Sequence, residues 1–192
     1  MLTALLLALV ASAGVSHRAT AATAGTEPAA AKWAAQTLHA GLTGAQAAQL
    51  QRDVDHYLAQ GGTQVSANQI VRPDGSQLLV VVPGEKYARD LVTTRAPADW
   101  SECPYTWFCG WQSAEFQGTI WKHSSCGVYW EIPNGWNSGG SWFNHQSTGT
   151  VARMYGKTKN LVYSTPPANQ DSPWASFDAY ADWGPVWFVK VC

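Results

Sequence analysis

Basic residues never gather along the 192-residue chain, whose formal net charge is −1. Nucleic-acid binding rests on a concentrated basic stripe, so no nucleic-acid partner is expected. Past residue 11 there is no apolar run approaching the roughly 20 residues that span a bilayer, so no membrane partner is expected either. Cysteine is sparse: Cys103, Cys109, Cys126 and Cys192 are the four, and none of their spacings is the short one typical of zinc ligands. No metal or other cofactor is expected from this set. Ser124, Ser125 and Ser141 lack the strand–turn–helix context of a nucleophile elbow. The histidines His17, His39, His56, His123 and His145 are scattered, and the carboxylates are few. Glu115 and Glu131 are the one pair with the chemistry of a glycosidase, but both flank turns or strand ends, where solvated carboxylates are ordinary. The chain is therefore read as a non-enzyme.

What is present begins at the amino terminus. Residues 2–10 (LTALLLALV) are uncharged and apolar, and Ala11, Ser12 and Ala13 follow. This is the hydrophobic core and A-x-A pattern of a secretory signal peptide, although no Lys or Arg precedes it. Residues 1–24 are assigned to the leader, with cleavage after Ala13, Ala21 or Ala24. Export makes the protein secreted and extracellular, and an even cysteine count then reads as two disulfides.

The chain changes character near residue 96. Of eleven tryptophans, Trp33 alone precedes that point. Residues 25–95 form an amino-terminal α+β segment with a linker. In it, Thr43 and Gln46 have the spacing of a capping box. Leu50, Val54, Tyr57 and Leu58 follow at helical spacing, and Gly61-Gly62 ends the element, which predicts a helix over 44–60. Two β segments, 64–71 and 76–82, flank the turn sequence Arg72-Pro73-Asp74-Gly75. A helix and one hairpin bury little surface. Docking on the second domain, a pro-segment role and partial mobility all stay open for this unit.

Residues 96–192 read as an all-β domain. Short aromatic and β-branched stretches at 108–112, 118–123, 127–131, 140–144, 151–155, 161–164 and 185–191 are cut by Gly, Pro, Asn and Ser. That rhythm predicts a sandwich or small barrel. Within it, Trp111, Phe116 and Gly118 are spaced to fold a hairpin back on its own sheet. The rings stack at the corner, and glycine takes a backbone conformation closed to residues with Cβ. This is a Greek-key signature of the βγ-crystallin type. Residues 137–142 and 182–187 share a fainter second pattern.

Cys103-Pro104-Tyr105 through Cys109-Gly110-Trp111, then Phe116-Gln117-Gly118, Cys126-Gly127 and Gly140-Ser141-Trp142-Phe143-Asn144, carry a resemblance. Residues 100–192 resemble the secreted actinobacterial proteins grouped with the streptomycete metalloproteinase inhibitor, peptidase inhibitor family thirty-six. The resemblance implies a βγ-crystallin-like Greek-key sandwich that inhibits an extracellular metalloprotease or serine protease. It also implies pairing of Cys103 with Cys109, which leaves Cys126 with Cys192. The latter bridge closes a long loop and contributes about 4 kcal/mol in the chain-entropy model. The family's inhibitors close their reactive loop with a second short disulfide, for which this chain has no close cysteine pair beyond Cys109. The inhibitory loop is therefore sought at 165–174, where Thr165, Pro166, Pro167, Asn169 and Asp171 form a proline-stiffened segment. Of the calcium pattern of βγ-crystallins, Asn137 and Ser141 survive, which leaves at most a weak site. The alternative function is cell-wall or polysaccharide binding, with exposed Trp136, Trp174 and Trp183 stacking on sugar rings.

Overall fold

A computed structural model describes residues 29–93, 102–172 and 176–192. The leader assigned to 1–24, and Trp174, lie outside the described residues. Three helices open the described chain: α1 (Ala29–Lys32), α2 (Ala34–His39) and α3 (Gly44–Leu58). The capping box forms in both directions. Thr43 Oγ1 accepts from Gln46 N at 3.2 Å, and Gln46 Oε1 accepts from Thr43 N at 3.0 Å. The face at Leu50, Val54 and Tyr57 is buried.

Eleven strands are described: β1 (Thr63–Gln64), β2 (Gln69–Val71), β3 (Gln77–Leu79), β4 (Trp107–Ser113), β5 (Gln117–His123), β6 (Trp130–Glu131), β7 (Gly139–His145), β8 (Arg153–Tyr155), β9 (Leu161–Ser164), β10 (Phe177–Asp182) and β11 (Phe188–Lys190). They form two antiparallel sheets, ordered β1-β2-β3-β5-β4-β7-β10 and β6-β11-β8-β9. The segment 64–71, read as one strand, is instead two, because the chain turns at 65–68 and pairs Gln64 with Ile70. Strand β10 was not anticipated: its sequence FDAYAD alternates aromatics with Asp and Ala, which carry no β signal.

The amino-terminal strands belong to the same sheet as the tryptophan-rich half. β3 pairs with β5 through Leu78 opposite Trp121 and Leu79 opposite Ile120. Of the three fates left open for this unit, docking is the one seen. The boundary near 96 marks a change of composition, and the sheet runs across it.

Alternation across this sheet divides the core in two, as the period of a strand requires. Leu78, Phe108, Trp121 and Trp142 point to one face, where they meet α3 residues and Trp130, Met154 and Val189 of the smaller sheet. Leu79, Cys109, Trp111, Ile120 and Phe143 point to the other, where Ala88, Cys103 and Phe116 cover them. Cys103 is bonded to Cys109 and Cys126 to Cys192, the pairing that the family resemblance implies. Among the described residues no helix is long and apolar enough to cross a membrane.

Trp183 sits between the sheets, fully buried. Its Nε1 donates to the Trp111 carbonyl at 2.8 Å, where the β4–β5 register shifts after Trp111. Room for the indole comes from two mid-strand glycines. A Cβ on Gly110 would lie 2.8 Å from the Trp183 ring, and one on Gly140 would collide with the pyrrole edge and stand 2.8 Å from the Trp111 carbonyl.

His123 is the second unusual core residue. It is fully buried, with Trp121 and Trp130 rings at 4.5 and 4.6 Å and Phe108 at 5.8 Å. Neither ring nitrogen has a hydrogen-bond partner among the described residues. Burial holds its pKa well below the usual 6.5, because the charged form has lost its water.

Two outcomes follow for stability. Gly140→Ala should lower the unfolding free energy by about 3 kcal/mol in urea titration, as overpacking and a lost buried hydrogen bond combine. For His123, the unfolded chain takes up the proton before the folded one does. Its contribution is complete above the unfolded pKa near 6.5 and declines as pH falls below it. Urea midpoints of the wild type should therefore fall from pH 7 to pH 5 more steeply than those of His123→Leu; equal slopes would contradict the assignment.

Candidate functional site

The 165–172 segment leaves β9 and runs back along 148–152. At its start, Thr165 N donates to the Ala152 carbonyl at 2.9 Å, and Thr165 Oγ1 accepts from Ala152 N at 3.1 Å. Asn144 Nδ2 donates to the same hydroxyl at 3.2 Å. Three residues on, Ala168 N donates to the Thr150 carbonyl and Gly149 N to the Ala168 carbonyl, both at 2.8 Å. Thr165 and Ala168 are buried; Pro166 and Pro167 between them are exposed. Ser176 Oγ donates to the Pro166 carbonyl at 2.5 Å.

Beyond Ala168 the segment stays tied. Gln170 N donates to Thr148 Oγ1 at 3.0 Å, and Asn169 Oδ1 accepts from Asp171 N at 3.0 Å, an Asx turn. Tyr105 Oη donates to Gln170 Oε1 at 3.1 Å, from inside the loop that Cys103–Cys109 closes. Asn169 is half-buried, and Gln170 and Asp171 are exposed. The five residues read from sequence as the loop thus divide into an anchor, Thr165, a display segment at Pro166 and Pro167, and a second turn at Asn169 and Asp171.

Two of the residues expected to stack on sugars, Trp136 and Trp183, are not available to do so. Trp183 is fully buried in the glycine slot, and Trp136 is 5% exposed, its Nε1 donating to Tyr57 Oη at 3.3 Å. Glycine and proline neighbours suggested exposed loops, but both indoles point inward and contact each other at 5.8 Å. Exposed aromatics stand elsewhere, at Tyr105, Tyr129, Tyr163, Tyr180 and Trp187. Sequence offered little to separate these from core residues, since both kinds sit among glycines and prolines.

Ser141, one of the two surviving positions of the calcium pattern, has another task. Its hydroxyl accepts from Phe116 N at 2.9 Å and donates to the Ser113 carbonyl at 2.8 Å. This clamps the folded hairpin, where Glu115 and Phe116 have φ of 58° and 59° and Gly118 has 81°. The Trp111 and Phe116 rings, expected to stack at the corner, meet there edge to face at 5.1 Å. Asn137 is exposed on the adjoining loop. Among the described residues no group of three His, Cys, Asp or Glu is placed to hold a metal ion.

Glu115 and Glu131 are not brought together. Glu115 lies in the β4–β5 turn and accepts from Tyr180 Oη at 2.6 Å, which raises the tyrosine's pKa above its usual range. Glu131 lies on β6, in the other sheet. A cleft of about 360 Å³ between α3 and the larger sheet contains Asp53, His56 and Thr119. The Thr119 hydroxyl there accepts from Val81 N at 3.3 Å.

No family model, curated protein or solved structure matches the chain.

Thr165 is the residue on which the loop's attachment turns. Thr165→Val keeps the shape and removes the acceptor for Asn144 Nδ2 and Ala152 N. The unfolding free energy should fall by about 2 kcal/mol, the cost of leaving buried donors unpaired. Limited proteolysis should then cut at 166–171 faster than in the wild type.

Proposed function

We propose that this chain is a secreted, non-catalytic protein with a βγ-crystallin-type Greek-key fold, which engages an extracellular metalloprotease or serine protease through the 165–172 loop. The observation that carries this reading is the pair of buried anchors, Thr165 and Ala168, on either side of exposed Pro166 and Pro167. A peptidase releases product when the two new chain ends separate. Here the ends stay attached to Ala152 and Asn144 on one side and to 148–150 on the other, so ordering costs are already met and departure is slow. Hydrogen bonds take the place of the short disulfide that closes the reactive loop in the family it resembles.

The strand order supports the Greek-key reading. β5, β4, β7 and β10 are neighbours in one sheet, whereas β6, β8 and β9, which intervene in the chain, and β11, which follows β10, form the other. Two disulfides and no free cysteine fit an oxidising compartment.

Titration of the oxidised protein against thermolysin-type and subtilisin-type proteases should show stoichiometric inhibition of one class with the chain left intact. Replacing 166–171 by a Gly/Ser segment should raise the inhibition constant at least tenfold while both disulfides and the far-ultraviolet circular dichroism spectrum are kept. No inhibition of either class, or an unchanged constant in the loop variant, contradicts the reading.

A further inference from the structure

The outer face of the smaller sheet follows from its register. Phe188 stands opposite both Glu131 and Tyr155, and Tyr155 opposite Leu161; in the next row Lys190 stands opposite Arg153, and Arg153 opposite Ser164. The alternating set, Trp130, Met154 and Val189, is buried in the core. Tyr129 joins the outer face, with its ring 5.0 Å from Tyr155 and 6.1 Å from Phe188.

Cations lie over these rings. Lys159 Nζ is 4.8 Å from the Tyr129 centroid and 5.8 Å from that of Phe188, and Lys190 Nζ is 5.3 Å from Tyr129. From the same 156–160 turn, Lys157 Nζ lies 4.8 Å from the ring of Trp187, which is 40% exposed. Lys190 on β11 is thus brought beside Arg153, Lys157 and Lys159 of β8 and the turn after it. Across the four strands and the 156–160 turn the acidic residue is Glu131 alone. From outside the face Arg72 donates to the Glu131 carbonyl at 3.4 Å; burial lowers the pKa of this guanidinium, opposed by the charges of Asp74 and then Glu131. In a chain of net charge −1, this concentration of cations on aromatic rings stands with a single carboxylate, Glu131, on its own sheet.

We propose that this face binds a linear anionic polysaccharide bearing carboxylates on its sugar rings. Charge complementarity selects an anion, and the rings hold the ammonium groups over their faces, in place to meet it. The ammonium groups already cover the ring faces. A base that must stack on those faces would have to displace them, whereas a ring carboxylate pairs with them where they are. Sugar hydroxyls find amides at the rim, where a cleft of about 200 Å³ is lined by Asn134, Asn137, Gly184 and Trp187. This site is separate from the 165–172 loop and does not rest on protease binding.

The test uses the intact oxidised protein, with polygalacturonate as the probe and calorimetry and intrinsic tryptophan fluorescence as the readouts. The wild type should bind polygalacturonate, ignore neutral dextran and weaken as salt screens the charges. The triple variant K157Q/K159Q/K190Q alters two exposed side chains and the half-buried Lys190, and leaves the core in place. It should bind at least tenfold more weakly, with an unchanged melting temperature and a flatter salt dependence. Tyr129→Ser should weaken binding while the salt dependence is kept. Equal affinity for dextran, undiminished binding by the triple variant, or tighter binding to oligothymidylate or poly-glutamate would overturn the proposal.

Discussion

The indole of Trp183 lies where β4 and β7 each carry a glycine, and the two sheets close around it. Gly110 and Gly140 leave the room, the Trp111 carbonyl takes the indole proton, and Trp136 packs against the ring. Neither glycine has a positive φ, so it is the missing side chain that matters at both positions. Glycine in mid-strand weakens a sheet by itself. Here the cost is offset by burying one of the largest apolar side chains together with a satisfied polar atom.

That arrangement organises what surrounds it. Trp136, which touches Trp183, also reaches Tyr57 on α3, so the helix is tied to the centre of the core. The larger sheet then runs without interruption from β1 to β10, and its second face is closed by Phe116, Ala88 and the Cys103–Cys109 bridge. The Cys126–Cys192 bridge joins the carboxyl terminus to the segment before β6. On this frame the surface segments are free to differ, and two of them present distinct chemistry: a tied loop at 165–172 and a cationic aromatic face on the smaller sheet.

Local signals were legible in the sequence. The Thr43–Gln46 capping box, the apolar face of α3 and the Trp111–Phe116–Gly118 corner all depend on residues close in the chain, and each forms, the corner rings meeting edge to face rather than stacked. Pairing at long range was not legible. Nothing local in Leu78 or Leu79 says that β3 borders β5, and β10 has too few β-branched residues to declare itself. The same limit explains the tryptophans. Trp136 and Trp183 have glycine or proline neighbours like Trp187, and burial separates them only once the sheets are assembled. Arg153, Lys157, Lys159 and Lys190 likewise form no run in sequence, and it is antiparallel pairing of β8 with β11 that gathers them.

The reading of the loop depends on one physical property, that its backbone is as well ordered as the sheets that carry it. Native-state hydrogen exchange on the intact oxidised protein measures this directly. The Thr165 and Ala168 amides, bonded to Ala152 and Thr150, should exchange within tenfold of the amides of β4 and β7. Exchange of these two amides at rates near those of an unprotected peptide would show a mobile loop, and the preorganisation on which protease binding is argued would be absent.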